Sequence, residues 1–451
     1  MAFLTRRAVV GFLWLGLVSL SSSYLIDDFG AIEGVTGLDA ASANSAAIEQ
    51  AFLTANSSTT DRVVEIPQGS TYTIFSSTIA NMTDVTFKID GLLLVHDEIT
   101  DWPDTSNTHV FGIYDCKGIT ITGSGTINGQ GHDWWVAVLR TTIAHNHRPN
   151  MFEMENVEDC VIEGFTAIDS PHFNFHMIDM LNLEIRYVNI ETNWRKQVEL
   201  AKKYGKFDFD LNIPMFPFNT DGFDPAGRNI YIHDCEIENW DDAIAVKPSS
   251  SKDRIDCSEN VLVENIKVKY GVGASIGSVS ANSHHNCVNN VTFRNMEFEE
   301  PMKAIYIKPN PGGEEGVDSA VISNIVYENI TINNPIWFAI YIGPQQMKEP
   351  DGAGTGCMLY PFGGGDEACP TNPLVAISNV TLKDVSISGG VTPGIVRCNE
   401  TAPCTGFEFD NVKYTSYASR LEGWTCQNVY GNEHKVQPKG CILDEDSLSL
   451  A

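Results

Sequence analysis

The chain is poor in positive charge. Lys and Arg number 29 against 58 Asp and Glu in 451 residues, a formal net charge of −29 at pH 7. This argues against nucleic acid as a partner, because phosphates demand a basic face, and any polyanionic substrate would need a locally positive cleft. No CxxC pair occurs and His284-His285 stands alone, so the spacing points to no zinc site and the reading includes no metal or cofactor. Beyond the N-terminus no segment approaches the ~20 apolar residues of a bilayer span. Linkers, charge blocks and low-complexity tracts are also missing. A chain of this length without internal boundaries suits a repeat fold, which grows by adding turns and needs no second core. We therefore expect one domain over residues 24–445.

At the N-terminus, Arg6 and Arg7 precede an apolar stretch from Ala8 to Leu20 and then Ser21-Ser22-Ser23. That order predicts a secretory signal over residues 1–23, hence a protein released to the extracellular space or cell wall. The alternative, an uncleaved anchor, is disfavoured by the short apolar core. Six Asn-x-Ser/Thr sites, at Asn56, Asn81, Asn290, Asn329, Asn379 and Asn399, are compatible with glycosylation along that route. The 11 cysteines fit an oxidising compartment. Short spacings suggest pairing of Cys357 with Cys369, Cys398 with Cys404 and Cys426 with Cys441. Cys160 and Cys235 occupy apolar positions and read as buried thiols, and the odd count leaves at least one thiol free.

What the chain has in abundance is a repeat. The frame apolar-x-apolar-x-x-apolar-x-apolar begins at Leu183, Ile230, Val261, Val291, Ile325, Val380 and Phe407, usually after Asn, with a looser copy at Cys160. Alternation of period two within each half predicts short strands, and two strands joined by a bend every roughly 25 to 35 residues predict a solenoid. The expected fold is all-β, a single right-handed parallel β-helix. Each turn then lies about 4.8 Å above the last, so sequence distance becomes height.

On such a coil the acidic residues of NTDGFD (Asn219 to Asp224) and WDDAIAVK (Trp240 to Lys247) fall on adjacent rungs. Asn and Asp at turn ends commonly do no more than cap a turn. Three carboxylates, Asp221, Asp241 and Asp242, converging with one rung between them instead suggest a hydrolase's acid and base. Gly271 to Ser278 and Tyr306 to Lys308 should stack on the same face. Lys247 reads as a structural ion-pair partner.

NTDG, the Asp pair, GVGASIGSV (Gly271 to Val279) and YIK (Tyr306 to Lys308) resemble the four motifs of family 28 glycoside hydrolases, the polygalacturonases and rhamnogalacturonases. DDFGA (Asp27 to Ala31) and GSGTINGQGHDWW (Gly123 to Trp135) are also similar to that family. The resemblance implies a pectin-lyase-like β-helix that binds pectic polysaccharide and hydrolyses with inversion; for a glycosylated, closed-ended coil a monomer is the default expectation. By it, Asp241 matches the general acid, and Asp221 and Asp242 the carboxylates that activate water. Asn219, Tyr306 and Lys308 fall at substrate-side positions, with Asn219 also fixing the NTDG turn and orienting Asp221. Inversion calls for roughly 6.5 to 9.5 Å between acid and base.

Departures from the family pattern bear on substrate choice. Val272 replaces a histidine, Tyr306 an arginine and Phe338 a substrate-contacting tyrosine, while the carboxylates and Lys308 are kept. Loss of the guanidinium fork removes bidentate recognition of a galacturonate carboxylate. Rhamnogalacturonases lack the same His and Arg, so a polymer of partly neutral character, rhamnogalacturonan or xylogalacturonan, is the alternative to polygalacturonate; a catalytically inactive polysaccharide-binding coil is the other. Two insertions, Trp194 to Phe218 and Asp351 to Pro373, read as surface loops. The first carries Arg195, Lys196, Lys202, Lys203 and Lys206, either a basic cleft wall or a solvated helix. The loop aromatics Tyr204, Phe207, Phe216 and Tyr360 would either stack on sugars or pack the loops onto the coil.

Overall fold

A computed structural model describes residues 23–106, 108–195, 218–249, 254–346, 369–416 and 423–450. The expected signal, most of the basic insertion and the greater part of the Gly-rich insertion lie outside these residues, and with them Cys357 and the four loop aromatics.

The repeat is what its periodicity predicted. All described strand pairings are parallel, and the frame positions meet in register from rung to rung: Leu183 faces Ile230, Ile230 faces Val261, Val261 faces Val291, Val291 faces Ile325 and Ile325 faces Val380. The four apolar residues of each copy point inward. In the third copy Val261, Val263, Ile266 and Val268 are all at most 3% exposed. Burial of such side chains at about 1.5–3 kcal/mol each drives the coil. A continuous core follows, running from Ile26 to Val429. The fold is a single right-handed parallel β-helix, as read from the sequence.

Bends along the strands explain why Asn precedes most copies. Asn229, Asn260, Asn290, Asn324 and Asn379 all sit at φ between 53 and 59°, the left-handed conformation that Asn tolerates better than other side chains. Stacked one above another, their amides form a ladder: Asn260 Nδ2 donates to Asn229 Oδ1 at 3.1 Å and Asn290 Nδ2 to Asn260 Oδ1 at 2.8 Å. A second ladder joins Asn265, Asn295 and Asn329.

Inside the coil, aromatic rings stack beneath the rungs that carry the acidic motifs. Phe111, Phe152, Phe175 and Phe223 follow one another with centroids 5.2, 4.7 and 5.1 Å apart. At the start of the chain the helix Leu38–Ser57 packs Ile48, Ala51 and Phe52 onto the first coil, with Phe52 edge-on to Phe87 at 5.3 Å.

Two expected disulfides are present, Cys398–Cys404 and Cys426–Cys441. Cys369 is also disulfide-bonded. A further bridge, Cys257–Cys287, escaped the sequence reading because the two lie 30 residues apart; that distance is one turn of the coil, and their Cα atoms are 4.7 Å apart. Cys160 and Cys235 are buried free thiols as expected, joined by Cys116. No helix among the described residues is long and apolar enough to cross a membrane.

Candidate active site

Register carries the motifs to one face. Phe223 pairs with Ile244, Ile244 with Ala274 and Ala274 with Ile305, so the segments just before them, holding Asp221, the Asp241-Asp242 pair, Val272 and Lys303, rise in a single column. Backbone bonds lock the column together: Gly222 N to Asp242 O at 2.8 Å, Val272 N to Asp241 O at 2.7 Å and Met302 N to Gly271 O at 2.8 Å. Gly273 is required here. Its φ is +52°, and a Cβ would lie 2.0 Å from the Ala304 carbonyl oxygen.

Asp221, Asp241 and Asp242 each bring an oxygen within 4.8 Å of the others. Their surroundings differ. Asp242, 1% exposed, faces the Lys308 ammonium through Oδ2 and the Ser275 hydroxyl through Oδ1 at 2.6 Å. Asp241 is half-buried; its Oδ1 accepts from Asp242 N and its Oδ2 from Asn219 N, both at 2.9 Å. Asp221 is 3% exposed and its Oδ1 has no hydrogen-bond partner. Burial, followed by the neighbouring charges of Asp224, Asp241 and Asp242, pushes the Asp221 carboxyl well above the ordinary carboxylate range.

Counter-charge comes from three cations. Burial pulls the Lys308 ammonium down, but the fields of Asp242 and Asp241 outweigh it and hold Lys308 charged. Lys247 lies 3.3 Å from the fully buried Asp224, the structural pairing expected of it. The third is Arg148, which the sequence reading missed. Nearly buried, it donates to the carbonyls of His145, Pro171 and Phe218 at 2.7, 3.0 and 2.8 Å and to Asn219 Oδ1 at 2.9 Å. Burial lowers it to about 9, with Asp241 and Asp221 pulling the other way, so it stays charged at neutral pH. Four carboxylates thus face three fixed cations, and one surplus negative charge favours retention of one proton. The Lys308 ammonium is paired directly with Asp242, while Arg148 acts on Asp241 and Asp221 through its field.

Asn219 turns out to hold Asp241, through its backbone N–H, where the sequence suggested Asp221; Asp221 is fixed by its carbonyl, which accepts from Asn174 N at 2.9 Å and Nδ2 at 3.0 Å. Behind Asp224, in register with it, stands His176, bonded to Glu153 at 2.9 Å. Burial would discharge His176, but the Glu153 bond prevails and raises its pKa. Beneath Asp241, Trp240 is fully buried, stacked on Tyr270 at 4.4 Å with Trp194 edge-on at 5.6 Å. Arg195, the one described member of the basic insertion's cluster, lies 5.2 Å from the Trp194 ring.

Val272 and Tyr306 are neighbours in space. Both are buried in a small apolar cluster with Met302, Phe338 and Tyr341 on the outer face of the rungs beyond Asp241. Tyr306 is therefore 5% exposed, a wall rather than an open contact. The Lys303 ammonium lies 4.0 Å from the Tyr306 ring centroid and 4.8 Å from those of Trp337 and Tyr341, while Lys308 lies 5.0 Å from Tyr306. Cation–π contacts of this kind keep two positive charges beside the column in an otherwise acidic protein.

The profile of the family described as Glycosyl hydrolases family 28 matches residues 57–436. Among curated proteins, a probable rhamnogalacturonase C of Aspergillus flavus is 23% identical over 83% of this chain and 68% of its own length. A probable polygalacturonase of Arabidopsis thaliana is 25% identical over 93% of this chain and 80% of its own. Among solved structures, an endo-xylogalacturonan hydrolase from Aspergillus tubingensis superposes with a TM-score of 0.66 at 21% identity, covering 91% of this chain and 98% of that one. A polygalacturonase from Erwinia carotovora gives 0.64 at 17%, over 92% and 96%.

Proposed function

Because the chain belongs to glycoside hydrolase family 28, we propose that it is a secreted enzyme cleaving a pectic polysaccharide by acid–base hydrolysis with inversion. Asp241 protonates the leaving glycosidic oxygen, and Asp221 and Asp242 activate the attacking water. The observation that carries this reading is the convergence of three carboxylates against Arg148 and Lys308, with burial and mutual repulsion arranged to retain a proton. The half-buried Asp241 is the most accessible of the three, as a group that must meet the substrate should be. An oxygen from each lies within 4.8 Å of the others, closer than the roughly 6.5 to 9.5 Å general for inverting enzymes. The anomer of the product is for that reason a direct test.

Substrate choice follows the outer apolar cluster. Val272 and Tyr306 replace two hydrogen-bonding side chains of polygalacturonases and belong to one buried apolar cluster, so the subsite beside Asp241 offers an aromatic wall where a guanidinium would be. That favours a polymer with partly neutral or branched residues, in line with the rhamnogalacturonase and xylogalacturonan hydrolase among its relatives. Reducing-end release from polygalacturonate, rhamnogalacturonan and xylogalacturonan, with Asp241→Asn as control and proton NMR of the first product anomer, tests the reading. Release from one of these polymers, lost in the variant and giving the inverted anomer, is expected. Full activity of Asp241→Asn would remove the assigned acid, and a retained anomer would remove the mechanism.

A further inference from the structure

We propose that in the free enzyme the proton of the acidic cluster resides on Asp221, the residue assigned to water activation, and that its transfer to Asp241 creates acid and base in one step. The inference rests on the reading of Asp241 as the group that protonates the leaving oxygen.

Hydrogen-bond donors separate the three carboxylates. Both oxygens of Asp241 accept backbone N–H bonds, from Asn219 and Asp242, and a backbone amide can only donate. Such bonds favour the ionised form. Asp242 has a donor on each oxygen, the buried Lys308 ammonium on Oδ2 and the Ser275 hydroxyl on Oδ1. Asp221 alone of the three keeps a buried oxygen, Oδ1, without a donor. The charges facing it are Asp224 three residues on, Asp241, Asp242 and Lys247 on the next rung, Lys308 two rungs further, and Arg148 from two rungs before, with His176 behind Asp224. With Asp221 itself the set holds four carboxylates against Arg148, Lys247 and Lys308, His176 being bonded to Glu153, and burial adds to their effect. The raised pKa of Asp221 agrees with this geometry.

An Asp221 oxygen lies within 4.8 Å of an Asp241 oxygen, within reach of a proton relay through at most one water joined to both by O–H···O bonds. With substrate bound, the Asp221 O–H breaks and its proton passes along that relay to an Asp241 oxygen. Asp241 then gives a proton to the glycosidic oxygen, which keeps the electron pair of the broken bond to the anomeric carbon. Water forms the new bond to that carbon and loses a proton to the ionised Asp221. Each turnover consumes one water and ends with Asp221 protonated and Asp241 ionised, the state in which it began. No separate exchange with solvent is needed to recharge the acid.

Infrared difference spectroscopy reads the proton directly. At about pH 6 the folded wild-type enzyme should show a protonated-carboxyl C=O band that shifts in deuterium oxide. Expected are loss of this band in Asp221→Asn, its retention in Asp241→Asn, and a frequency shift in Asp221→Glu that Asp241→Glu does not produce. The Glu pair serves where the amide variant fails to fold. A band lost with Asp241 and kept without Asp221, or no band in the wild type, overturns the proposal. Failure of the underlying reading is separate: Asp241→Asn would then remain fully active whatever the band does.

Discussion

Lys308 and Asp242 are ion-paired with each other, 3% and 1% exposed, across two rungs of the coil. The lysine expected to meet substrate is therefore also the buried ion-pair partner of Asp242. Truncation of one partner strands the other's charge in a buried site, at a cost of about 3–5 kcal/mol. Lys308→Met should lose that much stability in urea denaturation and lose activity with it. The double variant Lys308→Met/Asp242→Asn should recover most of the stability and none of the activity. Equal losses in the single and double variants would mean that the pair is not coupled.

Arg148 works through Asn219. Its planar fork spans the Asn219 amide and the Phe218 carbonyl, and Asn219 N–H in turn holds Asp241. A lysine retains the charge but not the fork. Arg148→Lys should fold, and because displacement of a reacting group by about 1 Å can cost ~100-fold, kcat should fall by 10- to 100-fold with KM little changed. A change confined to KM would place Arg148 among substrate contacts.

Asp221 also leaves a mark on stability. Its folded-state pKa is raised, so the native protein holds a proton that the unfolded chain releases, and stability falls as pH climbs from the ordinary carboxylate range toward the raised value. Asp224 is raised too, by burial first, and contributes with the same sign. Asp221→Asn should flatten part of this slope. The variant is expected to match wild type in acid and exceed it near neutrality by on the order of 1 kcal/mol, as relief of a strained functional site commonly does. Melting curves between pH 4 and 8 would check it; parallel curves would refute it.

The six glycosylation motifs are not equivalent in the fold. Asn290, Asn329 and Asn379 spend their Nδ2 groups on ladder bonds to the rung below, at 2.8, 2.8 and 3.1 Å. The one N–H that a glycosylated amide retains would have to keep this bond, with the sugar held against the adjacent rung about 4.8 Å away. Asn81 is exposed on a strand end whose only described sheet partner lies on one side. Peptide mapping after expression in a eukaryotic secretory host should find glycan at Asn81 and bare side chains at those three ladder positions. Occupied ladder positions in folded, active protein would contradict this.

The coil was legible because its burial pattern is local: seven copies of one frame declare which side chains point inward, and each copy's start then meets the next in register. Asp221, Asp241, Asp242 and Lys308 were legible for the same reason, since the interval between them is a whole number of rungs. Arg148 was not. It precedes its strand in an irregular segment and meets Asn219 71 positions away, and no periodicity marks it. The Arg-Pro that ends that segment, just before an apolar run, is the one local signal it leaves. The Cys257–Cys287 bridge joins one-rung neighbours, so the period that revealed the fold would have revealed it too.

The helix Leu38–Ser57 has a consequence beyond its own packing. A parallel ladder with 4.8 Å steps is the same backbone arrangement that lets fibrils lengthen, each rung templating the next. Left open, the first strands would present a row of unsatisfied N–H and C=O groups to any other copy. By laying Ile48, Ala51 and Phe52 over that first coil, the helix acts as a stopper, denying the growing end to a neighbour. It is what separates an enzyme built like a fibril from a fibril.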